Sequence, residues 1–177
     1  MNNQPENPTP GALAIVEDLF LTSAFLIKGR LPNKTKRLSN MLEDHERSFL
    51  TIHDATLVAL RSGEVIRTPK VLANMDEVIF AHELVEVAGD AFLKRLAQPK
   101  RMTRIRAFFS GAVQFELAGN VEKGAYDVNQ TNRKRFFVLE EPQIRGLNLE
   151  DQELRILKDL DYAIVRKDKL SYIYDFS

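Results

Sequence analysis

The sequence predicts a mainly β protein with short helices (α+β), built from two related small antiparallel barrels in tandem. Three observations carry that expectation. Short alternating apolar runs, bounded by glycine or proline, recur along the chain. Matching blocks follow one another in the same order in both halves of its 177 residues. Four or five short strands in about 60–75 residues tend to curl into a barrel, because closure removes exposed edges.

Taken in order, residues 1–12 read as a disordered leader, polar and Pro-rich as far as Pro10. A first unit spans residues 13–90. It opens with residues 13–21 as a short helix or a packed arm. The apolar stretch at residues 12–27 carries Glu17 and Asp18 and has no basic segment before it, so it reads as neither a signal peptide nor a membrane span. Residues 24–27 are an apolar strand stopped by Gly29. Leu38, Met41 and Leu42 stand at helical spacing, with Ser39 or Asn40 able to cap one or two turns. Residues 49–60 alternate as a strand, and Val78-Ile79-Phe80 is a β-branched and aromatic run. Residues 91–101 form a basic connector, with 92–96 helical until Pro99 stops it.

A second unit spans residues 102–177. Residues 104–109 lead into Gly111 as residues 24–27 lead into Gly29. Residues 132–147 match residues 45–60 without a gap. That register sets Phe136 against Phe49, Leu139 against Ile52, Glu141 against Asp54 and Ile144 against Leu57. Asp168-Lys169-Leu170-Ser171-Tyr172 stands against Asp76-Glu77-Val78-Ile79-Phe80. The order of the repeated unit resembles the Sm-like barrel, a member of the SH3-like class. Phe49-Leu50-Thr51-Ile52-His53-Asp54-Ala55 is similar to that family's N-L-x-L-x-D-A strand. Asn74-Met75-Asp76-Glu77-Val78 and Arg166-Lys167-Asp168-Lys169-Leu170 are similar to its R-G-D-N-V junction. The RNA-contacting Arg-Gly of that junction is Asn74-Met75 in the first unit and Arg166-Lys167 in the second, so the resemblance implies the fold without the RNA pocket. The first unit also resembles an uncharacterised bacterial domain family, a domain of unknown function. That likeness rests on Gly29-Arg30, Arg37-Leu38-Ser39, Leu42, Phe49-Leu50, Ile52 and Asp54-Ala55. It implies a bacterial origin and no function.

Chemistry is sparse. The absence of cysteine excludes disulfides, thiolate metal sites and cysteine nucleophiles. His82-Glu83-Leu84-Val85-Glu86 lacks the second histidine of a zinc-protease helix and continues a strand. His53 and Asp54 are neighbours on a strand and face apart, so Asp54 reads as a turn or backbone partner, and Glu141 before Pro142 as a turn or bulge. No phosphate loop and no nucleophile elbow is present. The expectation is therefore a cytoplasmic, non-enzymatic interaction or assembly module, with no catalytic residues, no metal and no cofactor. A protein partner or a homo-oligomer is favoured over nucleic acid.

The 25 basic residues equal the 25 acidic ones, so electrostatic specificity must be local. The strongest local feature is basic: Lys94, Arg95, Lys100, Arg101, Arg104 and Arg106, then Arg133, Lys134 and Arg135, then Arg166 and Lys167. With Phe108, Phe109, Phe136 or Tyr172 stacking on bases, these could bind single-stranded RNA or DNA, which is the alternative function. As a solvated surface they would only cover apolar area. The terminal residues 170–176 read either as an exposed edge strand or as core within their own barrel.

Overall fold

The computed structural model describes residues 17–32, 34–85, 101–129 and 132–177. The leader, the expected helix at 92–96 and the connector residues Lys94, Arg95 and Lys100 lie outside the described residues. Five strands precede that gap: β1 (Asp18–Thr22), β2 (Phe25–Arg30), β3 (Phe49–Ala59), β4 (Val65–Asn74) and β5 (Val78–Glu83), with helix α1 (Leu38–Leu42) between β2 and β3. Five follow it: β6 (Met102–Phe109), β7 (Phe115–Glu122), β8 (Phe136–Arg145), β9 (Tyr162–Arg166) and β10 (Tyr172–Asp175). Short 3-10 turns, Met75–Glu77 and Lys167–Lys169, precede β5 and β10.

All ten strands belong to one antiparallel sheet in the order β10-β6-β7-β8-β9-β5-β1-β2-β3-β4. The sheet does not close. Where two closed barrels were expected, β5 and β9 pair with each other, Phe80 opposite Val165 and Ala81 opposite Ile164. Each supplies the backbone partners the other's edge lacks, so closure within each half is not needed. Among the described residues, the end strands of the sheet are β10 and β4.

Three local expectations are corrected. Residues 18–22 are a strand instead of a helix or arm. All five are buried between β2 and β5, so a central strand covered on both faces shows no alternation in sequence. Ser39 and Asn40 lie inside α1; its N-cap is Arg37, without a side-chain cap. Gly29 and Gly111, expected to match, stand in different settings, Gly29 in β2 and Gly111 in a bend. Gly29 lies at the register shift of β2 against β3, and Gly119 at the shift of β7 against β8. The backbone opposite each glycine holds the two described non-glycine residues with positive φ, Asp54 and Glu141, both at 50°. These are the positions that the sequence register sets opposite one another.

Two cores lie on the faces of the sheet, and each takes side chains from both halves. Phe20, Ile27, Leu50, Ile52 and Ala81 pack with Leu38 and Leu42 of α1, and with Phe136, Tyr162 and Ile164 from β8 and β9. Ile105, Leu117, Phe137, Leu139 and Val165 pack with Leu19, Leu21, Leu26 and Phe80 from the first half. The excursion at residues 146–161 brings Leu154, Leu157 and Leu160 onto this second core, and Lys28 binds its Glu153. Burying one such leucine contributes roughly 1.5–3 kcal/mol. The junction of β5 and β9 is thus buttressed on both sides.

Candidate partner-binding edges

β10 is an edge strand, and its aromatic side chains are not core. Tyr172 is 72% exposed, Tyr174 63% and Phe176 53%, while Ile173 is partly buried against the second core. The amide of Phe176 donates to the carbonyl of Arg104 at 3.0 Å. Antiparallel bonding alternates along a strand, and β10 pairs with β6 without a register shift, so Ile173 and Asp175 turn their backbone groups away from β6, toward open solvent. Asp175 fixes the strand in place. It accepts hydrogen bonds from the Tyr126 hydroxyl and from Thr103 Oγ1, which hold its carboxyl well below the usual carboxylate range. The same bond pushes the Tyr126 hydroxyl up to about 12.

The other end of the sheet is β4. Its first part carries Arg67, Pro69 and Lys70, residue types that blunt an edge. Its last part, Val71-Leu72-Ala73-Asn74, carries no charge. Leu72 there is 56% exposed, and Phe49, opposite Asn74 on β3 and on the same face, is 52% exposed. A short unguarded edge beside exposed apolar side chains is suited to strand addition.

Among the described residues, the basic candidates stand in two kinds of setting. Arg101, Arg104, Arg133 and Lys134 are exposed. Arg104 and Arg106 share a face of β6 with Phe108 and, across the ladder, Tyr172 and Tyr174. Arg106 is matched by a bidentate pair with Glu116 at 2.6 and 2.7 Å, and Arg104 donates to Gln143 at 3.3 Å. Arg135 and Arg166 tie the halves together. Arg135 donates to the carbonyls of Leu42 and Asp44, while Glu43 accepts the amides of Arg135 and Phe136. Arg166 is buried and binds Asp168, Asp76 and the Met75 carbonyl. Lys167 donates to the Asp127 carbonyl, and burial pulls its ammonium below the usual range. Phe109 and Phe136 are core. Of the stacking candidates, Tyr172 is the one that stands well into solvent.

Asp54, expected to serve a turn or the nearby backbone, instead forms an exposed ion pair with Arg30 at 2.8 Å. His82 is 6% exposed and its Nδ1 lies 2.8 Å from the Tyr162 carbonyl. An open groove of about 530 Å³ lies between α1 and the β7–β8 region, lined by Ser39, Asn40, Lys123, Lys134, Phe136 and Glu140 among others. Among the described residues no group of three His, Cys, Asp or Glu is placed to hold a metal ion, and no helix is long and apolar enough to cross a membrane. One buried polar group escaped the sequence reading. Lys34 Nζ lies 2.6 Å from both Asp18 and Glu83, all three side chains being almost wholly buried. Its partners are far apart in sequence, and no spacing signals them.

Comparison of the chain with protein-family models, with curated proteins and with solved structures finds no match.

Proposed function

We propose that this protein is a non-enzymatic assembly module that takes up protein partners by strand addition at the two ends of its sheet. The observation that carries the reading is the pair of end strands whose stretches 71–74 and 172–174 carry no charge and whose flanks expose Phe49, Leu72, Tyr172 and Tyr174. On this reading the chain is two copies of one five-stranded unit of the Sm-like, SH3-like kind. The pairing order β5-β1-β2-β3-β4 recurring as β10-β6-β7-β8-β9 supports it. So do the 3-10 turn before each fifth strand and the glycine bulge in each half.

Single-stranded nucleic acid is the weaker reading. Arg106, Arg166, Arg135 and Lys167 already have protein partners, and phosphate neutralisation requires cations free to exchange their counterions.

A photo-crosslinking residue placed at Leu72 or at Tyr172, in the full chain in its cell of origin, tests the choice. Protein adducts at both positions, and none from the exposed Glu150, are expected. Adducts to RNA or DNA instead would move the function to the nucleic-acid reading. No adducts at either edge would contradict edge-mediated assembly.

A further inference from the structure

We propose that the outward face of β6, β7 and β8 holds a site for the phosphate monoester of a small aromatic molecule. The inference goes beyond edge-mediated assembly and does not depend on it. The site is a well of about 210 Å³ around Ala118. Register explains the hollow. Ala118 stands opposite Arg106 on β6 and opposite Gln143 on β8, so one methyl group lies between two long side chains. One step along the same face, Glu116 stands opposite Phe108 and Arg145. The alternate residues Ile105, Ala107 and Leu117 turn inward to the core, which leaves this face to solvent.

The charges around the well do not balance. Among the described residues, the guanidinium groups of Arg104, Arg106 and Arg145 line it against the single carboxylate of Glu116. That carboxylate is taken by the bidentate pair with Arg106, and Arg145 adds only its field to it. Arg104 reaches the neutral amide oxygen of Gln143 at 3.3 Å. Among the described residues, Arg145 has no ion pair or side-chain hydrogen bond. Glu141, bonded by Asn120, stands outside the lining. Two positive charges therefore remain beside one hollow. A phosphate monoester brings close to two negative charges at neutral pH. Guanidinium forks match its oxygens in geometry as well as in charge.

The rim carries an aromatic wall as well. Phe176 lines the well, is exposed, and has Tyr174 tilted against it with 5.2 Å between ring centres. Tyr174 lies opposite Arg106, and the Phe176 amide bonds to the Arg104 carbonyl, so both rings share the face of the two arginines. A ring joined to phosphate can pack on Phe176 while the phosphate enters the well. The hollow is smaller than the roughly 300–1,000 Å³ of sites that enclose a drug-sized ligand, so it takes one head group. Asn120 and Glu141 border it and interrupt the basic track that a polyanion would need.

The test is an amide NMR titration of the full chain with phenyl phosphate, read at Arg104, Ala118 and Gln143. Saturable shifts at those amides are expected. Arg104→Gln and Arg145→Gln should each weaken binding at least about tenfold, with an unchanged thermal melt showing that each variant is folded. Ala118→Met, which fills the hollow, should abolish it. Phe176→Ser should weaken the binding of phenyl phosphate and leave that of inorganic phosphate unchanged. Absence of saturable shifts, or binding that survives both arginine variants, overturns the proposal. So does inorganic phosphate that binds as tightly as phenyl phosphate, because the aromatic wall would then contribute nothing. A phosphotyrosine peptide or a short single-stranded DNA that binds at least about tenfold tighter than phenyl phosphate would give the site to a protein or to nucleic acid, and overturns the small-molecule assignment.

Discussion

Replacing Lys34 with methionine is expected to destabilise the protein by about 3–5 kcal/mol at neutral pH. Asp18 and Glu83 are directly opposed across β1 and β5 in the interior of the sheet, and Lys34 is the cation between them. Its removal leaves two carboxylates facing each other out of water, with Glu17 adding to the repulsion at Asp18. Burial already raises the Asp18 carboxyl above its ordinary range, against the hydrogen bond and charge of Lys34. A carboxyl raised in the folded state favours folding most where it is protonated, and that contribution is lost as pH rises through the raised value. The deficit of Lys34→Met relative to the wild type should therefore be largest at neutral pH. It should narrow as pH falls toward the ordinary aspartate range, where Asp18 takes up a proton. Adding Asp18→Asn to the variant should recover part of the loss. Urea denaturation at neutral and mildly acidic pH measures all three, and an equal deficit at both pH values would show that the loss is one of packing alone.

Gly119→Ala is expected to cost about 3 kcal/mol, or roughly 6–12 °C of melting temperature for a chain of this size. A Cβ at Gly119 would lie 2.6 Å from the Glu140 carbonyl oxygen and 2.8 Å from Leu139 Cγ. The first contact is backbone held in the ladder, so β7 and β8 must separate to relieve it. Gly29→Ala meets the His53 carbonyl at 2.8 Å and Ile52 Cγ2, a methyl of a fully buried β-branched side chain, at 2.5 Å. It should therefore cost a similar amount by thermal melting. By contrast, Gly111→Ala has nothing within contact and should be near neutral. A large loss at Gly111 would contradict the assignment of Gly119 as the bulge residue.

How far the sequence reveals this arrangement depends on the environment of each strand. β3 and β6 show clear alternation because one face is core and the other is wet, and β5 shows through its β-branched and aromatic run. β1 is hidden because neighbours cover it on both faces, leaving Asp18 and Thr22 as buried polar residues that imitate a helix or arm. β7 is broken to the eye by Gly119, and β4 by Arg67, Pro69 and Lys70. Phe49 and Phe136 each stand five residues before the positive-φ residue of their half, Asp54 and Glu141. The glycine match fails because the strand before β2 was not visible, which shifted the count by one strand.

Sequence spacing is equally silent about what holds the basic residues. Arg135, Arg166 and Lys167 form runs along the chain, but the groups that hold them, including Glu43, Asp76 and the Asp127 carbonyl, come from other parts of the fold. The exposed edge at Tyr172 and Tyr174 was legible as one of two possibilities. Among the described residues, the topology leaves β10 at the end of the sheet.

Amide hydrogen exchange followed residue by residue, in the chain alone and with the protein its edges crosslink in the cell, tests the claim that these end strands are association surfaces. The amides of Leu72 and Ile173 should exchange rapidly in the chain alone and slow with the partner bound, while those of Ala81 and Ile164 remain slow throughout. Rates at Leu72 and Ile173 that the partner leaves unchanged would contradict it.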